Sequence, residues 1–143
     1  MTSPRKRNLV SGWMTSHLIT VSPDDELFVA VEKMAERAIR HVLVLEGEQL
    51  IGILSNRDLV RATFRDPERK LDLHGVPVSQ VMTPNPITIA PDASICEAAQ
   101  SMVEHAINAL PVISEGSPTG VLTSDDLLRA LSVQDLVAPL PQL

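Results

Sequence analysis

Apolar residues recur at helical spacing in two stretches of the chain. Leu27, Ala30, Val31, Met34 and Ala38 share one face, and so do Ile95, Ala98, Ala99, Met102 and Ala106. Both stretches predict amphipathic helices, with Met34 and Met102 in the core. A short extended piece precedes each helix, residues 18–21 and 87–89, centred on Thr20 and Thr88. Two short aliphatic runs follow each helix. Residues 42–45 and 50–54 flank Glu46-Gly47-Glu48, and residues 110–113 and 119–122 flank Glu115-Gly116-Ser117-Pro118. Runs this close predict hairpins. A last helix begins at Ser55 or Thr123. The order is β-α-β-β-α, twice, in an α+β fold. Ser22 as N-cap and Pro23 as first helical residue predict where the first long helix starts. The counterpart Ala90 has no capping oxygen, so Asp92 is expected to cap a register later.

The duplication is explicit in the residues. Shifted by 68 positions, the chain from residue 14 to 62 matches itself at 18 of 49 positions without a gap. Met14-Thr15 falls on Met82-Thr83, Pro23-Asp24 on Pro91-Asp92, and Asp58-Leu59 on Asp126-Leu127. A repeat of this length is one supersecondary unit that needs a neighbour to bury its apolar face. Two copies are therefore expected to pack with pseudo-two-fold symmetry. The polar stretch with breakers from Arg65-Asp66-Pro67 to Gly75-Val76-Pro77 reads as their linker.

Composition narrows the function. Apolar residues make up 44% of the 143, enough for a core, and it must be aliphatic because Trp13, Phe28 and Phe64 are the only aromatics among Phe, Trp and Tyr. A net charge of −6 disfavours generic nucleic-acid binding, which needs an excess of Lys and Arg to neutralise phosphates. The only basic cluster, Arg5-Lys6-Arg7, reads as a solvated arm. Trp13 is expected to anchor the entry to the first repeat against the core or a dimer partner. Cys96, the single cysteine, cannot form an internal disulfide, which suits a reducing cytosol. It reads as a quiet thiol, with a redox role as the alternative. No apolar segment follows the basic cluster as a secretion signal would require, and no apolar run approaches a membrane span. The expectation is a soluble, cytoplasmic protein that binds neither nucleic acid nor membrane.

Arg40-His41-Val42-Leu43-Val44 followed by Gly52-Ile53-Leu54-Ser55-Asn56-Arg57-Asp58-Leu59 resembles a CBS motif. So does Ile107-Asn108-Ala109-Leu110-Pro111-Val112 followed by Gly120-Val121-Leu122-Thr123-Ser124-Asp125-Asp126-Leu127. The resemblance implies a tandem CBS pair, or Bateman module. Its divisions are an N-terminal arm (1–9), a first CBS repeat (10–64), a linker (65–76), a second repeat (77–132) and a C-terminal tail (133–143), expected to fray over the Pro- and Leu-rich residues 138–143. Such pairs commonly form two-fold disc-like dimers. Many bind AMP, ADP, ATP, S-adenosylmethionine or a related compound between the repeats.

The candidate site residues follow from the chemistry such a ligand needs. Asp58 and Asp126 can accept hydrogen bonds from ribose hydroxyls. Ser55 and Thr123, each at a helix start, can hold a phosphate together with free backbone N–H groups. The same Ser/Thr-x-x-Asp spacing is also a capping box, so these residues could serve the helix alone. The resemblance places Thr20 and Thr88 near the ligand, where a β-favouring role is the alternative. It places the strand residues Val42, Leu110 and Pro111 along the adenine, where plain core is the alternative. Charge separates the two copies: Arg57 becomes Asp125, and Arg40-His41 becomes Asn108-Ala109. One competent nucleotide site is therefore expected at Ser55, Arg57 and Asp58, aided by Arg40 and His41. The second would be empty or take a less anionic ligand.

Catalytic and metal motifs are missing: there is no nucleophile elbow, P-loop, Gly-x-Gly-x-x-Gly or His/Cys ligand spacing. The repeats leave no room for a catalytic domain. The expectation is a regulatory module, not an enzyme, that needs no cofactor and signals to an effector protein in trans. The alternatives are a ligand-free dimeric scaffold with decayed sites and an unrecognised enzyme.

Overall fold

The computed structural model describes residues 6–65 and 71–133. Arg5, the middle of the linker and the tail beyond residue 133 lie outside them. The first half forms β1 (Thr20–Val21), α1 (Leu27–Arg37), β2 (His41–Glu46), β3 (Gln49–Ser55) and α2 (Asn56–Arg65). The second forms β4 (Thr83–Pro84), α3 (Ile95–His105), β5 (Ala109–Ser114), β6 (Ser117–Thr123) and α4 (Ser124–Val133). The expected β-α-β-β-α order is present, with one difference: residues 87–89 contribute only a single parallel bridge, Ile89 to Val112.

Both hairpins have two-residue turns. Gly47 at φ +62° opens the first, and Glu115 and Gly116 both take positive φ in the second, as primed hairpin turns require. Each hairpin also shifts register at the same place, between Val44 and Leu45 and between Val112 and Ile113.

The long helices start later than the sequence suggested. Ser22 does not cap α1, and Pro23 lies outside it. Residues 22–25 form a turn in which the Ser22 N–H donates to the Asp25 carboxylate at 2.8 Å. The carbonyls of Pro23 and Asp25 are thereby left to accept from Ser79 at 3.0 Å and Val78 at 2.8 Å; a helix begun at Pro23 would have used them internally. Glu26 occupies the N-cap without a side-chain hydrogen bond. The orphan N–H groups of Leu27 and Phe28 donate instead to the carbonyls of Val76 and Leu73, at 3.0 and 2.9 Å. In α3 the cap is Ser94, not Asp92: its hydroxyl accepts from the Glu97 N–H at 3.0 Å.

The short segment leading into each repeat packs on the other one. Val78 is fully buried in the first core with Leu27, Ala30, Val42 and Leu54, and Val10 is fully buried in the second with Ala98, Leu110 and Leu122. The hydrogen bonds are equivalent: Val10 and Ser11 donate to Ala93 and Pro91 as Val78 and Ser79 donate to Asp25 and Pro23. Further along, β4 pairs with β3 of the first repeat, and Thr15 bridges Val121 of the second. The first sheet therefore runs β1-β2-β3-β4, with its last strand supplied by the second half. Gly52 and Gly120 permit the crossing. A Cβ on either would lie within 3 Å of the incoming Met82 or Met14 sulfur. Trp13 packs against the second core and donates from its indole nitrogen to the Arg7 carbonyl at 2.8 Å. Met34 and Met102 are core residues, as their spacing suggested.

Candidate functional site

The exchange decides what faces what. Two clefts lie between the repeats, related by the same 68-residue shift. The larger, about 400 Å³, joins the loop of residues 37–41 to Thr123, Asp125, Asp126 and Arg129. The smaller, about 260 Å³, joins residues 105–109 to Ser55, Arg57, Asp58 and Arg61. The helix-start motif of one repeat thus faces the loop before the hairpin of the other. Ligand pockets commonly span about 300–1,000 Å³, so both clefts are at or near that scale.

Each loop is bent into place by a residue in the left-handed region, Ala38 at φ 52° and Ala106 at φ 54°. This ends the preceding helix and turns the chain back toward the cleft.

The motifs themselves are reciprocal caps. The Ser55 N–H and hydroxyl donate to one Asp58 carboxylate oxygen at 2.9 and 3.0 Å, and the Asp58 N–H donates back to the Ser55 hydroxyl at 3.1 Å. Thr123 and Asp126 repeat the pattern at 2.8, 3.1 and 3.4 Å. Both carboxylates are buried, Asp58 at 8% exposure and Asp126 at 1%. Their second oxygens differ. Asp58 accepts from the Thr83 hydroxyl at 2.9 Å, whereas Asp126 accepts from Arg129.

Arg40 does not join Ser55, Arg57 and Asp58. It reaches the opposite cleft and pairs with Asp125 at 2.6 Å. Adjacency in sequence misassigned it, because residues 40 and 57 of one repeat serve different clefts. The larger cleft therefore holds three arginines and two aspartates, and two of its guanidinium groups are paired with carboxylates. The smaller holds Arg57, Arg61 and Asp58. There Arg57 donates only to the Ala106 carbonyl, at 3.2 Å, and Arg61 makes no hydrogen bond or ion pair among the described residues. The formal balance is the same, so the clefts differ in how their cations are committed rather than in net charge.

His41 lines both clefts, and its Nε2 lies 3.0 Å from the Asn108 side-chain oxygen. Burial pushes its pKa below the ordinary value, against the raising effect of the Asn108 hydrogen bond. The ring is neutral at neutral pH.

Thr20, Val42, Thr88, Leu110 and Pro111 lie outside both linings. Val42, Leu110 and Pro111 are buried strand residues, and the Thr20 carbonyl accepts from the Lys33 ammonium at 2.7 Å. Thr15 and Thr83 line the clefts instead, together with Arg61, Arg129 and Asn108. The signal for the threonines was their place in the repeat, Met14-Thr15 on Met82-Thr83. No group of three or more His, Cys, Asp or Glu side chains could hold a metal ion among the described residues. No helix among them is long and apolar enough to cross a membrane.

The CBS domain family model matches residues 10–65 and 78–133. The chain belongs to the CBS domain family, as a tandem pair. A CBS domain-containing protein of Dictyostelium discoideum is 34% identical over 133 residues, which cover 86% of this chain and 90% of that protein. An inosine-5'-monophosphate dehydrogenase of Korarchaeum cryptofilum is 34% identical over 111 residues, 77% of this chain but 21% of the enzyme. Against several longer relatives the CBS pair spans only part, 42%, 21% and 19% of their lengths. Among solved structures, the CBS pair of protein MJ0100 in complex with 5'-methylthioadenosine and S-adenosylmethionine superposes with a TM-score of 0.76 at 23% identity. That match covers 86% of this chain and 98% of the other. It establishes the shared CBS-pair fold.

Proposed function

We propose that the chain is a regulatory module that binds an adenosine-containing ligand between its CBS repeats and passes its state to a partner protein. The ligand class is AMP, ADP, ATP or S-adenosylmethionine. The observation that carries this reading is the pair of clefts, each with a capped carboxylate from one repeat facing the loop of the other. The adenosyl compounds bound by the MJ0100 pair, a protein of the same fold, support the ligand class.

The phosphate-bearing ligand goes to the smaller cleft. Arg57 and Arg61 are unpaired with carboxylates among the described residues, and Asp58 keeps a lone pair beyond its three hydrogen bonds for a ribose hydroxyl. In the larger cleft Arg37 alone of the three arginines has no carboxylate partner among the described residues, and a phosphate that reached Arg40 or Arg129 would have to displace Asp125 or Asp126. In this reading the protein is cytoplasmic, catalyses no reaction and forms a homodimer. Val60 and Phe64 on α2 and Leu128 and Leu131 on α4 supply exposed apolar surface for that contact.

Thermal melting with each compound tests the reading. A ligand at about 100 times its Kd adds about 2.7 kcal/mol, which raises Tm by roughly 5 °C or more. ATP and ADP should lose their shift in Arg57→Ala. A second reading, a ligand-free dimeric scaffold, is favoured by the complete satisfaction of buried side-chain polar atoms among the described residues. Absence of a shift with every adenosine compound would select it.

A further inference from the structure

His41 and Asn108 are the two residues common to both cleft linings. They come from different repeats, and the pseudo-two-fold axis does not duplicate them: the position equivalent to His41 is Ala109, and that equivalent to Asn108 is Arg40. A single hydrogen-bonded pair, 3.0 Å long and half-buried, therefore partitions two cavities. A neutral imidazole has one N–H and one lone pair on its ring nitrogens, and an amide has one oxygen and one NH₂. The Asn108 oxygen is committed to His41. The amide NH₂ makes no hydrogen bond among the described residues.

We propose that this pair couples the clefts, so that a ligand in one weakens binding in the other. The inference rests on the reading that both clefts accept adenosine compounds. A ligand that takes the Asn108 amide or the His41 ring turns the pair toward itself, and the other cleft loses those groups from its wall. One set of donors and acceptors cannot serve two ligands at full strength. The coupling is a difference in free energy between singly and doubly occupied states, so it is reciprocal.

Calorimetric titration of the full chain separates the possibilities. ATP is titrated at rising concentrations of 5'-methylthioadenosine, and then the order is reversed. The expected result is a loss of about fivefold in affinity, near the low end of typical couplings, equal in both directions. It should level off once the first ligand is saturating. His41→Ala and Asn108→Ala should each weaken both compounds when titrated alone, and the affinity that remains for one should no longer depend on the other. In the wild-type chain, the His41 Cε1–H resonance should move when either ligand is added alone, a readout that needs no variant to fold. Affinities independent of the other compound overturn the coupling while leaving the clefts as binding sites. A loss that rises without limit means one shared site and also overturns it. A plateau that persists in both variants, or a His41 signal that responds to one ligand only, removes the pair from the role. Failure of both compounds to bind the wild-type chain overturns this inference together with the reading beneath it.

Discussion

Replacing Gly120 by alanine probes the crossing of the two halves where the incoming backbone comes nearer. A Cβ there lies 2.7 Å from the Met14 sulfur and 2.9 Å from the Thr15 carbonyl oxygen. The thioether can swing aside. The carbonyl cannot, because Thr15 and Val121 exchange two backbone hydrogen bonds of 2.9 and 3.0 Å. The alanine must either compress this contact or push the leading segment off the strand. Overpacking of this kind costs about 1–3 kcal/mol, and each backbone hydrogen bond lost adds about 1 kcal/mol. The expected destabilisation is about 2–4 kcal/mol, at roughly 3 °C per kcal/mol for a chain of this length. Thermal melting followed by circular dichroism should show a Tm lower by about 6–12 °C by those coefficients. Gly52→Ala should lose less, since its nearest backbone atom, the Thr83 oxygen, is 3.1 Å away and its closest neighbour is the flexible Met82 sulfur. Gly47→Ala is the control. Nothing lies within 4 Å of its Cβ, and the cost is confined to its φ of +62°, about 1 kcal/mol. A Gly120→Ala protein as stable as wild type, or less affected than Gly47→Ala, would refute the reasoning.

Other variants separate equivalent positions of the two repeats. Ser94→Ala removes a true N-cap and should cost about 1 kcal/mol in chemical denaturation, whereas Glu26→Ala, at the matching position without a cap bond, should change stability by a few tenths. Thr83→Val deprives the buried Asp58 carboxylate of a donor and should cost about 1–2 kcal/mol; Thr15→Val loses no such bond and should cost less. His41 gives a pH signature. Its folded pKa is depressed below 6.5 by burial, so the unfolded chain takes up the proton first as pH falls. Stability from this group is complete above about pH 6.5, declines as pH drops toward the folded pKa, and then levels off. Melting curves between pH 7.5 and 5 should show a smaller acid-side loss in His41→Gln than in wild type; equal slopes would exclude His41 as the source.

The local elements were legible because local rules form them. Helical periodicity located α1 and α3, the close spacing of the aliphatic runs located both hairpins, and the Ser/Thr-x-x-Asp spacing located the starts of α2 and α4 together with their caps. The start of α1 was misread for a tertiary reason. Ser22-Pro23 is a sound helix-start signal, but the carbonyls of Pro23 and Asp25 are claimed by Ser79 and Val78 of the other half. The exchange itself was invisible to the match of the chain on itself at a shift of 68 positions. Matching Met14-Thr15 to Met82-Thr83 shows that the segments are equivalent, and says nothing of which sheet each joins. Gly52 and Gly120, small residues inside strands, were the one available hint, since a strand glycine often marks the close approach of another backbone. The misplacement of Arg40 followed from the same blindness.

The crossing of Val10 and Val78 into opposite cores has a consequence for how the molecule comes apart. Melting one core strips the other of a fully buried valine, a paired edge and the hydrogen bonds that hold its first turn. Neither half is left with a complete apolar interior. Two cores separated by a linker would ordinarily be free to unfold in sequence, each at its own temperature. Here they are interlocked into one cooperative unit, for which a single transition with coincident calorimetric and van't Hoff enthalpies is the expected behaviour.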